Sequence, residues 1–131
     1  LITVDKNKNE EITKSTKDPI IKMPIVILVN ENTASASEIL SGALKDLNKA
    51  TIVGKKTYGK GVIQQFLTLS DGSGLKITSN EYFTPNRTTI NKVGIEPNEV
   101  VELPENVKNV LSVEQKDDTQ LQKAIEILKN K

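Results

Sequence analysis

Three polar side chains carry the chemistry this sequence offers: Ser35 in NENTASASEIL, Lys60 in YGKG, and Gln64 in VIQQ. Ser35 stands where an apolar strand ending at Asn30 gives way to a helix. Unpaired backbone NH groups and the positive end of the helix dipole meet at such a junction. A hydroxyl there suits acyl transfer, with the Ala36 NH as a donor to the oxyanion. Ala34 and Ala36 leave room for a substrate backbone. The same stretch also reads as helix punctuation, because Ser35-x-x-Glu38 ahead of an apolar helix is a capping box, with Asn32 and Thr33 as rival caps. Ser37 and Ser41 read as helix-surface hydroxyls.

A serine nucleophile needs a base, and the chain contains neither histidine nor cysteine. That removes imidazole triads, thiol nucleophiles and Cys/His zinc sites, and leaves Lys, Asp, Glu and Tyr. Lys60 lies between Gly59 and Gly61, whose absent side chains would let a substrate backbone come close. A lysine base must be neutral, and bringing an ordinary lysine from about 10.4 to 7 takes about 4.6 kcal/mol. Burial supplies effects of that size, and Lys55 and Lys56 would add repulsion. The plainer reading is a solvated loop lysine. Gln64 is four residues further on, a spacing that keeps two side chains on one side of a strand or helix, so its amide could accept a hydrogen bond from the amine. A half-exposed glutamine in an edge strand is the plainer reading there. Residues 54–60 also spell G-x-x-x-x-G-K. A phosphate-binding loop would continue with Ser or Thr and a helix; here Gly61 and the strand-like VIQQFLTL follow, which sets a nucleotide role aside.

The elements that must position these residues are legible from hydropathy. PIVILVN, residues 24–30, is an uninterrupted apolar run and predicts a strand buried on both faces of a parallel sheet. Ile39, Leu40, Ala43, Leu44 and Leu47 recur at helical spacing and predict an amphipathic helix over about residues 35–48. TIVG, 51–54, closes a βαβ-like unit. VIQQFLTL and LKITSNEYF are extended and joined by the turn signal SDGSG. Residues 1–4 and 11–13 flank KNKNE as a hairpin, EVVEL is a further short strand, and a helix runs from Asp118 with Leu121, Ile125 and Leu128 on one stripe. The lysine-rich start and the 105–117 stretch are expected to be the most mobile parts.

At 131 residues the chain has the length of one domain. Its 18 basic and 17 acidic residues leave a charge of +1, and Arg87 is its single arginine. Nucleic acid is therefore a poor partner. No apolar run is long enough to span a bilayer, and no signal-peptide pattern is present. The chain opens on Leu1 inside a strand-like LITV, as expected of a piece cut from a longer protein.

Taken together, PIVILVNENTASASEILSGAL, TIVGKKTYGKGVIQQ and LKITSNEYFTPN resemble the catalytic region of the carboxy-terminal processing peptidases, or tail-specific proteases. The resemblance is close over about residues 20–103, and DDTQLQKAIEIL is similar to the family's closing helix. It implies an α/β fold of the ClpP/crotonase type, with stacked βαβ units, a mostly parallel sheet and the N-terminal side of the catalytic domain missing. It further implies a Ser/Lys dyad with Ser35 as nucleophile, Lys60 as general base, Gln64 orienting the lysine and the Ala36 NH as one oxyanion donor. No metal or cofactor is implied. The family's second oxyanion donor, on a glycine-rich upstream segment, and its PDZ domain lie outside this sequence, so the piece alone is expected to be inactive or nearly so. The implied partner is a protein or peptide substrate met outside the cytoplasm or across a bacterial cell envelope. Apolar surface left by truncation would favour self-association. A noncatalytic homologue that binds peptide strands at a sheet edge is the main alternative. Two departures stand out: TPNRTT lacks the glycine usual before its arginine, and GIEPN has Asn98 where an aspartate is usual.

Overall fold

The computed structural model describes residues 1–18, 20–105, 107 and 112–130. Of the 105–117 connection, residues 106 and 108–111 lie outside that range.

The apolar run after Pro24 forms β3 (Val26–Val29), the helical repeat forms α1 (Ala36–Asp46), and TIVG forms β4 (Thr51–Gly54). β3 and β4 pair in parallel, Val26 opposite Thr51 and Val29 opposite Gly54. A two-residue β7 (Glu99–Val100) then joins β4 in parallel, giving the order β3-β4-β7. EVVEL thus contributes only its first two residues to the sheet. Parallel strands need a crossover, and α1 supplies it between β3 and β4. The closing helix α2 (Thr119–Lys129) packs on β3 and β4 and is capped by Asp118, whose carboxylate accepts from Leu121 N at 2.9 Å.

A second, antiparallel sheet has the order β2-β1-β6-β5. β5 (Val62–Thr68) and β6 (Gly74–Phe83) form the long hairpin that SDGSG predicts, and β1 (Ile2–Asp5) pairs with both β2 (Glu10–Ile12) and β6. The start of β5, directly after Lys60, is thereby held against Glu81 and Asn80.

Two packing expectations are corrected. β3 is half covered rather than buried on both faces: Val29 is buried, whereas Leu28 is 41% exposed. The reason is its position at the edge of a three-stranded sheet. In α1 the inward face consists of Glu38, Ser41 and Gly42, while Leu40 and Leu47 of the apolar repeat lie outside. Gly42 explains the choice of face, since a Cβ there would sit 2.9 Å from Ile95 Cδ1 and 3.0 Å from Thr84 Cγ2. Helix and loop approach through that gap. Ser41 is accordingly buried rather than a surface hydroxyl, its Oγ donating to the Ser37 carbonyl at 2.7 Å. Among the described residues the buried apolar core is small: Val29, Ile52 and Val53 in the parallel sheet, Ala124 of α2, Ile2 of β1, and Ile90 and Ile95 in the loop that follows β6.

Candidate active site

Two turns at the carboxyl ends of β3 and β4 build the site. The first carries the chain from β3 into α1. Asn30 and Thr33 close it, with Thr33 N donating to the Asn30 carbonyl at 2.9 Å and Asn30 N to Thr33 Oγ1 at 3.0 Å. The next step puts Ser35 at φ 60°, ψ −120°. An L-residue holds that conformation only at a cost of about 1–3 kcal/mol, so the surrounding contacts must impose it. Strain of this kind at a strand-to-helix corner is what lifts a hydroxyl out of the turn.

The capping box reading holds: Glu38 accepts from Ser35 N at 2.9 Å, and the Ser35 side chain is set towards Glu38 N, which also donates to the Ser35 backbone carbonyl at 2.9 Å. The hydroxyl stands half-buried at the head of α1, beside the Ala36 NH, which as the first helical position has no intrahelical acceptor.

The second turn runs from β4 to β5 and carries Lys60. It is fastened to the first through one carboxylate. Glu38 is 0% exposed, and its Oε1 accepts from Thr57 Oγ1 at 2.5 Å and from Gly59 N at 2.7 Å. Its Oε2 accepts from Ser35 N and, at 2.8 Å, from Lys60 N. Tyr58 N adds a bond to the Thr33 carbonyl at 3.0 Å. The backbones of Ser35 and Lys60 therefore meet on a single oxygen atom. Sequence reasoning saw Glu38 only as a cap; the signal for more, a threonine three residues before the lysine, carries no local pattern of its own.

The glycines around Lys60 serve the fold where the sequence suggested room for substrate. A Cβ on Gly61 would lie 2.2 Å from Asn91 N, and one on Gly59, at φ 90°, 3.1 Å from Gly94 N. That space is taken by the chain's own 90–95 turn, tied in by Lys92 N to the Gly59 carbonyl at 2.8 Å and Ile95 N to Thr57 Oγ1 at 2.7 Å. The Lys60 side chain is exposed, and no hydrogen bond joins its amine to Ser35 or Gln64. Gln64 is exposed on β5, next to a register shift between Ile63 and Gln64. Nor do Lys55 and Lys56 present bare charge to Lys60, since they pair with Glu31 at 3.6 Å and Glu96 at 3.5 Å. With β5 following Gly61, the strand–loop–helix order of a phosphate-binding loop is not met.

Asn86, which stands where the resembled pattern has its glycine, is not among the residues of positive φ. Arg87 itself adopts φ 64°, the conformation a glycine would take without penalty, and its guanidinium pairs with Glu10 of β2 at 2.5 Å. Asn98 exchanges bonds with Ile52 of β4: its amide oxygen accepts from Ile52 N at 2.9 Å and its own NH donates to the Ile52 carbonyl at 2.8 Å. An amide serves there because an acceptor is all that Ile52 N requires.

The profile of "Peptidase family S41" matches residues 1–101. A carboxyl-terminal-processing protease of Synechocystis sp. is 44% identical over 126 residues, which cover 96% of this chain and 29% of the relative. The chain thus spans under a third of that protein's length. Among solved structures, a photosystem II D1 C-terminal processing protease matches 63% of the chain at 49% identity and a TM-score of 0.61, covering 22% of that protein. A lipoprotein from Streptococcus agalactiae matches 98% of the chain and 43% of its own at a TM-score of 0.73 and 21% identity, a likeness of fold alone.

Proposed function

We propose, from the premise that this chain belongs to peptidase family S41, that it is the C-terminal part of the catalytic domain of a serine endopeptidase working through Ser35 and Lys60. The observation that carries the reading is the Glu38 carboxylate, which holds Ser35 N and Lys60 N on one oxygen. Two residues 25 positions apart have no other evident reason to be fastened together there. The strained backbone of Ser35 at the head of α1 supplies the second support.

In this mechanism the neutral Lys60 amine takes the Ser35 proton as Oγ attacks a peptide carbonyl. The oxyanion forms at the head of α1, where the Ala36 NH and the helix dipole favour negative charge. Lys60 returns the proton to the leaving amine, and an acyl ester remains on Ser35. Water then attacks that ester with Lys60 as base, releasing the acid and restoring the hydroxyl. Gln64 orients the amine once the chain that covers the site is in place. That covering chain also excludes water from the exposed Lys60 and brings the second oxyanion donor. The isolated piece is accordingly inactive or nearly so. The substrates proposed are C-terminal regions of proteins met outside the cytoplasm. The exposed Phe66, Leu67 and Leu75 of the β5–β6 hairpin give this piece apolar surface for self-association.

The alternative, a peptide-binding homologue without catalysis, draws support from the exposed Lys60 and from the outer edge of β5, which pairs with no further strand among the described residues. Cleavage of an unstructured protein by the parent polypeptide separates the two, with binding of the same substrate measured alongside. Loss of turnover with retained binding in both Ser35→Ala and Lys60→Ala supports the peptidase; a parent that binds and never cleaves at any pH supports the alternative.

A further inference from the structure

We infer that Glu38 and Thr57 are positioning residues for the reaction of Ser35 with Lys60, setting the geometry of both turns through one shared carboxylate. The inference rests on the dyad reading above and goes beyond it by naming what holds the pair in register.

Burying a carboxylate is unfavourable unless hydrogen bonds or a cation compensate it. Glu38 is 0% exposed, and among the described residues no lysine or arginine forms an ion pair with it. Helix capping explains one of its four hydrogen bonds, that from Ser35 N. The other three come from Thr57, Gly59 and Lys60, on a different turn, and would be needless for starting a helix.

Thr57 extends the clasp. Its hydroxyl donates to Glu38 and accepts from Ile95 N, so the turn that fills the space behind Gly59 and Gly61 is locked to the same carboxylate. Thr57 is 5% exposed, which leaves its hydroxyl no water to fall back on. The arrangement is a chain from the 90–95 turn through Thr57 and Glu38 to both Ser35 and Lys60. A displacement of about 1 Å between reacting groups costs about 100-fold in rate. Geometry held this way is worth having at these two residues above all others in the chain.

Near-isosteric changes test it in the parent polypeptide. Glu38→Gln keeps the shape but turns an NH2 towards two of the four donors, and Thr57→Val removes both hydrogen bonds of the hydroxyl while Thr57→Ser keeps them. Each variant is assayed for kcat and KM on an unstructured protein, and for the rate and final extent of labelling of Ser35 by a fluorophosphonate. The expected result is a fall of about 100-fold in kcat for Glu38→Gln and about 10-fold for Thr57→Val. KM should stay within about twofold, the labelling rate should fall with kcat, and the fraction of sites finally labelled should stay unchanged. Thr57→Ser should recover most of the rate. A purely structural role predicts instead that fewer sites are labelled, at the wild-type rate, and that outcome overturns the inference. So does wild-type turnover in Glu38→Gln and Thr57→Val while Ser35→Ala is dead. Undiminished cleavage by Ser35→Ala would remove the dyad itself, a different failure from either.

Discussion

Replacing Gly61 by alanine is expected to injure both stability and catalysis, and the size follows from distances. The added Cβ would lie 2.2 Å from Asn91 N, 2.7 Å from Asn91 Cα and 2.8 Å from the Ile90 carbonyl carbon, where ordinary contact begins at 3.4 Å. The two backbones must therefore separate by about 1.2 Å, and no flexible side chain stands between them to yield. Overpacking of this kind costs about 1–3 kcal/mol, and loss of the adjoining bond from Lys92 N to the Gly59 carbonyl adds about 1 kcal/mol. Urea denaturation should thus show Gly61→Ala less stable by about 2–4 kcal/mol. The same separation moves the residue next to Lys60, so kcat in the parent should fall about 100-fold in the molecules that remain folded. Gly72 is the control. It sits at φ 85° in the β5–β6 turn with nothing within 4 Å of an added Cβ, so its alanine variant should lose about 1 kcal/mol and no activity. A Gly61→Ala variant within 0.5 kcal/mol and twofold in kcat of the wild type, on the order of ordinary surface changes, would refute the account of why glycines flank the lysine.

Three further outcomes follow from residues outside the dyad. Asn98→Ala should destabilise by about 1–3 kcal/mol in chemical denaturation, because it strands the Ile52 NH in the core, whereas Asn98→Asp keeps an acceptor and should be close to neutral. The hydrogen bond and charge of Arg87 hold the Glu10 carboxyl below the usual glutamate range. A depressed folded value means that the pair's stabilisation is present above the ordinary range and disappears as pH falls through the folded one. A carboxyl-resolved NMR titration should place Glu10 low in the wild type and back at its ordinary position in Arg87→Ala. Arg87→Gly, which relieves φ 64°, should melt above Arg87→Ala.

Local pattern carried far into this fold. The apolar run, the helical repeat and TIVG gave β3, α1 and β4 within two residues at each end, and SDGSG located the β5–β6 hairpin, because in each case the signal lies within the element itself. What escaped depends on neighbours distant in sequence. The apolar repeat of α1 pointed to a core-facing stripe, yet Gly42, Ser41 and Glu38 face inward because Ile95 and Thr84 need the space above Gly42. The glycines flanking Lys60 looked like substrate clearance until the 90–95 turn was seen to fill it. The joining of β1 to β6 likewise pairs residues far apart in sequence, Ile2 with Phe83. For the site, residue types and the family resemblance pointed to Ser35 and Lys60, and the structure fastens their backbones together through Glu38. It leaves Gln64 apart and the Lys60 amine exposed. A capping box can be read from four consecutive residues, but its use as a clasp cannot, since three of the four donors lie about 20 positions away.

The central claim is that Ser35 forms an ester with the acyl half of the substrate, and that ester is open to direct capture. The parent polypeptide would be mixed with an unstructured protein substrate, quenched in acid within the first turnover, and digested for peptide mass mapping. The account predicts an acyl adduct on the peptide containing Ser35 in the wild type, greatly slowed formation in Lys60→Ala, and none in Ser35→Ala. Steady cleavage with no adduct at any time, or an adduct on another serine, would contradict it.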